Sequence, residues 1–97
     1  MNIKHAQYML TVMQEGSITA AAKKLYISQP SLSQMIKLVE TNLGTPIFNR
    51  STDPITLTYA GEKYIEAAKQ ILTINNNLQK EIDEINHEDH GCLKLGI

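Results

Sequence analysis

The sequence predicts a mainly α-helical domain: three short helices, a small β hairpin, then one long helix. Three observations carry that expectation. Apolar residues recur at helical spacing in stretches closed by Gly16 and Gly44. Pro46 and Pro54 then bracket residues of β type. From Tyr64 to Ile85 a heptad repeat runs through the rest.

The first helix shows Ile3, Ala6, Met9, Leu10 and Met13 at helical spacing, and Gly16 suits a left-handed cap. Ser17 can cap a second, short helix over Ile18 to Leu25, whose Ala20, Ala21 and Ala22 allow close packing. Tyr26 and Ile27 make a brief turn. Ser28 is the next N-cap, and Pro30 falls in the first turn, where a missing N–H is harmless. The third helix then runs to about Leu43. Its apolar stripe is Leu32, Met35, Ile36, Val39 and Leu43. Its outer face presents Gln29, Pro30, Ser33, Gln34, Lys37 and Thr41, with almost no acid. Amide, hydroxyl and ammonium groups of this kind read base edges and phosphates. Ile47-Phe48-Asn49 and Ile55-Thr56-Leu57-Thr58 read as a hairpin around the loop Arg50 to Asp53. Thr58 can cap the final helix, expected from Tyr59 to about His87. Two helices joined by a short turn, the second polar outside, followed by a hairpin, are the order of a winged helix-turn-helix. Many three-helix domains share that coarse pattern.

Composition sets the bounds. Ninety-seven residues are too few for two independent cores. With 42% hydrophobic and 20% charged residues, the chain is ordinary for a soluble globular protein. The lone Cys92 excludes an intrachain disulfide and suits a reducing cytosol. No apolar run approaches the roughly 18 residues of a membrane span. The segment Met1 to His5 does not open a signal peptide. Net charge is −1, so the whole chain is not a basic nucleic-acid binder. Residues 1–58 nevertheless carry a surplus of two positive charges, and residues 59–97 a surplus of three negative ones. A polyanion-facing surface therefore belongs to the first part.

The residues become more specific than the pattern. Gly16-Ser17-Ile18-Thr19-Ala20-Ala21-Ala22 with Leu25, then Ile27-Ser28-Gln29-Pro30-Ser31-Leu32-Ser33, closely resemble the amino-terminal domain of LysR-type transcriptional regulators. Ile36, Glu40, Leu43-Gly44, the Phe48 and Arg50 pair of the wing, and Leu57-Thr58-Tyr59-Ala60-Gly61 extend the resemblance along the chain. It implies a bacterial, cytoplasmic, dimeric DNA-binding regulator and no enzyme. It divides the chain into a winged domain over 1–58, a linker or dimerisation helix over 59–88, and a hinge with the start of an effector-binding domain over 89–97. The chain is then expected to be a fragment that needs no cofactor of its own. A small-molecule effector is expected only for the missing domain, and a tetramer only in a full-length protein.

The resemblance places double-stranded DNA against Thr19, Ser28, Gln29, Pro30, Ser31, Ser33, Gln34, Lys37 and Arg50. Gln29 can pair bidentately with adenine, and Pro30 can touch a thymine methyl. Ser28 also serves simply as a cap. Gln34 departs from the family, which often has Arg there, so base preference shifts from guanine towards adenine. Lys37 most simply meets a phosphate. Met35 and Leu38 are read as extra packing. The wing departs too, because Asp53 would repel a phosphate. Tyr64, Ala68, Ile71, Asn75, Leu78, Ile82 and Ile85 form the heptad seam, expected to join two copies on an interrupted palindrome. Asn75 would fix register there at a cost in stability. His87-Glu88-Asp89-His90-Gly91-Cys92 lacks metal-site spacing, since its second His comes one residue too early for a zinc motif. No catalytic arrangement stands out. A winged-helix protein-interaction module without DNA affinity remains the alternative, kept open by near-neutral charge and Asp53.

Overall fold

A computed structural model describes the backbone of residues 1–92 and the side chains of residues 1–87. The elements follow in the order α1 (Ile3–Glu15), α2 (Ile18–Leu25), α3 (Gln29–Leu43), β1 (Phe48–Asn49), β2 (Thr56–Leu57) and α4 (Tyr59–Cys92). This is a winged helix-turn-helix with a long carboxy-terminal helix.

Local chemistry sets most boundaries. The Asn2 side chain accepts from the N–H groups of Lys4 and His5 at the head of α1. Ser17 accepts from the Ala20 N–H, and Ser28 from the Ser31 N–H. Each thus satisfies a donor that has no partner within its own helix. Gly16 (φ 71°) and Gly44 (φ 78°) end α1 and α3 in the left-handed conformation. At the head of α4 the Thr58 hydroxyl accepts from the Gly61 N–H at 2.9 Å and donates to the Pro46 carbonyl at 2.7 Å. One side chain therefore caps α4 and ties it to the segment that leads into β1.

The core is aliphatic, as the scarcity of aromatics requires. Met9 and Val12 of α1, Leu32 and Ile36 of α3, and Ile47 before β1 are fully buried. Ala21 and Ala22 let α2 approach closely, and Phe48, Ile65 and Ala68 complete the cluster. α4 packs chiefly on α1. The wing is small: β1 and β2 pair antiparallel, Phe48 opposite Leu57 and Asn49 opposite Thr56. Its far side is anchored. The Ile55 N–H donates to the Gly16 carbonyl at 2.9 Å, and Pro54 packs over Gly16.

Three expectations are corrected here. Tyr64 and Ala68, placed in the intermolecular seam, are only 8% and 0% exposed, because the first turns of α4 spend their apolar face on the chain's own core. Leu38 and Leu43, read as packing residues, are each 51% exposed. A stripe read from period alone was one residue too wide at its end, and α3 outruns the core there. The helix of α4 also continues through residues 89–92, which were expected to open a hinge. Residues 93–97, expected to begin a further domain, lie outside the described residues. So do the side chains of the His87 to Cys92 run beyond His87.

Candidate nucleic-acid interface

The first turns of α3 carry the polar surface. Ser28, Gln29, Pro30 and Ser31 are all exposed, followed one turn on by Gln34 and then Lys37. Thr19 is exposed on α2. The sequence-predicted residues of α3 therefore cluster in its first turns, and no acid stands among them.

Within that face the side chains hold one another. The Ser28 hydroxyl donates to the Ser31 hydroxyl at 2.7 Å. The Gln29 amide nitrogen donates to the Ser33 hydroxyl at 2.9 Å. Ser33 is half-buried and holds the Gln29 amide in place. An amide NH2 has two protons. With one directed at Ser33, Gln29 keeps a second N–H and its carbonyl oxygen. Those are the donor and acceptor that a bidentate pair with adenine needs.

Arg50 is exposed and also pairs within the chain. Its guanidinium meets the Glu40 carboxylate at 3.0 Å, with a second contact at 3.4 Å. The same carboxylate accepts from the Ile47 N–H at 2.7 Å and the Phe48 N–H at 3.4 Å. Burial alone would raise the Glu40 pKa. The Ile47 N–H, the Arg50 guanidinium and the Phe48 N–H together outweigh it and hold the carboxyl below the ordinary glutamate range. Glu40 thus ties the start of β1 to α3, and Arg50, its side chain still 45% exposed, is the counter-charge. Sequence reading used Glu40 only as a family match. The available signal was that Glu40 is the sole acid between Glu15 and Asp53.

Other cations are also engaged. Lys24 pairs with Glu15 at 3.3 Å. Lys4 lies over the Tyr8 ring at 5.7 Å. Among the described residues of the winged domain, Lys23 and Lys37 make no ion pair. Both are exposed.

The distal part of α4 carries a second surface. Ile74, Leu78, Ile82 and Ile85 are 68%, 54%, 42% and 50% exposed. Ile71 is half-buried at the point where α4 leaves the core. Spacings of three and four residues put these five on one stripe. Ile74 was missed because the heptad phase was set by Tyr64 and Ala68, which serve the core. Asn75 is exposed beside the stripe.

Residues 3–62 match the model of the bacterial regulatory helix-turn-helix protein, lysR family. The chain belongs to the LysR family. Over 97 residues it is 40% identical to the HTH-type transcriptional regulator BudR of Klebsiella aerogenes, covering 100% of this chain and 68% of that one. It is 39% identical to the HTH-type transcriptional regulator BsdA of Bacillus subtilis, over 99% of this chain but 33% of that protein. The chain thus spans about a third of the length of several LysR-family relatives. Among solved structures it is similar to the BenM DNA-binding domain in complex with catB site 1 DNA. The TM-score is 0.86 at 31% identity, covering 93% of this chain and 97% of that one. It is also similar to the CbnR DNA-binding domain in complex with DNA, with a TM-score of 0.79 at 30% identity over 89% and 99% of the two chains. These relatives are named as regulators, not enzymes. Among the described residues, no helix is long and apolar enough to cross a membrane.

Proposed function

We propose that this LysR-family domain reads double-stranded DNA sequence-specifically, as a homodimer joined through α4, in a bacterial cytoplasm. One observation carries the reading: the acid-free run from Gln29 to Lys37 in the first turns of α3, with Gln29 held by Ser33 and its pairing edge left open. A helix face of neutral donors and acceptors is suited to base edges, where a face of mixed Glu and Lys is suited to water. The DNA complexes of BenM and CbnR domains support the same reading. Gln29, Pro30 and Gln34 are the readers, with Ser28, Ser31 and Lys37 on phosphate. A small-molecule effector belongs to whatever further domain a longer protein carries.

Selection from genomic fragments at moderate salt tests this. The expected result is enrichment of a shared interrupted palindrome, with half-sites a whole number of helical turns apart. Recovery of fragments without any common site contradicts it and favours a protein-interaction module.

The ion pairs sharpen the expected salt dependence. Counting Lys37, Arg50 and one α2 lysine per subunit gives about six phosphates for a dimer. With Arg50 and Lys24 engaged, Lys23 and Lys37 leave about four. The plot of log affinity against log salt should then have a slope near −4, from a relation of roughly −0.9 per phosphate. Titration by fluorescence anisotropy between about 50 and 200 mM salt measures it. A slope near −10 contradicts the assignment.

A further inference from the structure

We propose that Tyr26 is a DNA-backbone contact, its phenolic hydroxyl donating a hydrogen bond to a phosphate flanking the groove that α3 enters. The proposal rests on the DNA-binding reading above and adds a residue to it. Sequence reading gave Tyr26 only a place in a turn.

The fold itself does not account for this side chain. Tyr26 caps α2 at φ 59° and ψ 40°, in the left-handed region. It is the one non-glycine residue with positive φ among the described residues. Glycine or asparagine ordinarily takes such a cap, because a larger side chain is strained there. The turn's hydrogen bonds run from the Tyr26 N–H to the Lys23 carbonyl and from the Ile27 N–H to the Ala22 carbonyl. Both are backbone bonds that glycine would make equally well. Burial ordinarily offsets the cost of ordering a tyrosine. Here the residue is 95% exposed, so that gain is absent.

Position supplies the use. Tyr26 stands two residues before the Ser28 cap and three before Gln29, at the end of α3 that bears the pairing edge. A helix whose first turn enters a groove brings the preceding turn to the sugar-phosphate wall. Tyrosine hydroxyls are ordinary donors to phosphate oxygen. A neutral donor also suits a head whose Lys24 and Arg50 are already paired. Such a contact displaces no counterion, so it adds affinity without steepening the salt dependence.

The test uses the full chain, a duplex carrying the selected site, and a random duplex of equal length, titrated by anisotropy at several salt concentrations. Tyr26→Phe keeps the ring and the backbone strain and removes the hydroxyl alone. Affinity is expected to fall about five- to tenfold on both duplexes, with the salt slope unchanged. Tyr26→Gly relieves the backbone, so its melting temperature should equal or exceed the parent's while its affinity falls at least as far. Binding by Tyr26→Phe within about twofold of the parent on both duplexes overturns the proposal, and so does a loss confined to the selected site. The parent's own titration separates the two levels. A parent that binds neither duplex overturns the DNA-binding reading and this proposal with it, whereas parent-like binding by Tyr26→Phe overturns this proposal alone.

Discussion

Leu78→Asp is expected to turn a dimer into a folded monomer that no longer holds a full palindrome. Leu78 lies in the exposed stripe of α4, 54% exposed, between Ile74 and Ile82. Four aliphatic side chains on one face of a projecting helix have no partner among the described residues, and a second copy would bury them. A carboxylate at position 78 of each subunit would then be buried without a counter-charge. That costs several kcal/mol, or on the order of a thousandfold in dimer affinity. The winged domain should survive, because its core ends at Ala68 and the neighbouring Leu72. One recognition helix covers too few base pairs to select a genomic site, so specific binding should go with the dimer. Sedimentation velocity with far-ultraviolet circular dichroism measures both properties. A variant that sediments as an intact dimer at micromolar concentration would mean that two copies meet elsewhere.

Gly61→Ala should unfold the domain more readily than any change on the DNA-facing surface. A Cβ at Gly61 would collide with the Ile47 carbonyl oxygen, and its next neighbours are the Ile47 carbonyl carbon at 2.9 Å and Cγ2 at 3.2 Å. That carbonyl already accepts from the Thr58 N–H at 2.9 Å and from its hydroxyl at 3.2 Å. The methyl would have to push α4 off Ile47 and break the junction between helix and wing. Overpacking plus two weakened hydrogen bonds costs about 3 kcal/mol. In a domain of this size that lowers the melting temperature by roughly 10–20 °C. Gly44→Ala is the control. Its left-handed φ of 78° is strained for alanine, but nothing lies within 4 Å of the added Cβ, so about 1 kcal/mol is expected. Thermal melts of the two variants that coincide would contradict the collision.

Much of this architecture is legible because it is set by neighbours in sequence. Gly16, Ser17, Ser28, Gly44 and Thr58 mark helix ends through hydrogen bonds within three or four residues, so their chemistry can be read without the fold. The acid-free run from Gln29 to Lys37 is likewise local. The Glu40 and Arg50 pair is not, since ten residues and a turn separate its partners. Read one at a time, Arg50 looks like a free cation and Glu40 like a solvated acid. The α4 seam misleads for another reason. Helical period places Tyr64, Ala68, Ile71 and Leu78 on a shared face, yet it does not say whether the neighbour is the chain's own core or a second copy. Packing assigns the first two to the core and Leu78 to the outside, with half-buried Ile71 at the border. Tyr26 is silent in the sequence because its interest lies in a backbone angle and an exposure, and neither follows from residue type.

If α3 reads bases through Gln29 while cations only anchor, the two kinds of residue should differ in their dependence on sequence. Anisotropy titration of Gln29→Ala and Lys37→Ala, each on the selected site and on random duplex at one salt concentration, tests it most directly. Gln29→Ala should lose about 1–3 kcal/mol on the selected site and relax preference at one base pair, with random DNA bound almost as before. Lys37→Ala should weaken both duplexes alike. Equal losses on both duplexes for Gln29→Ala would mean that Gln29 does not read a base.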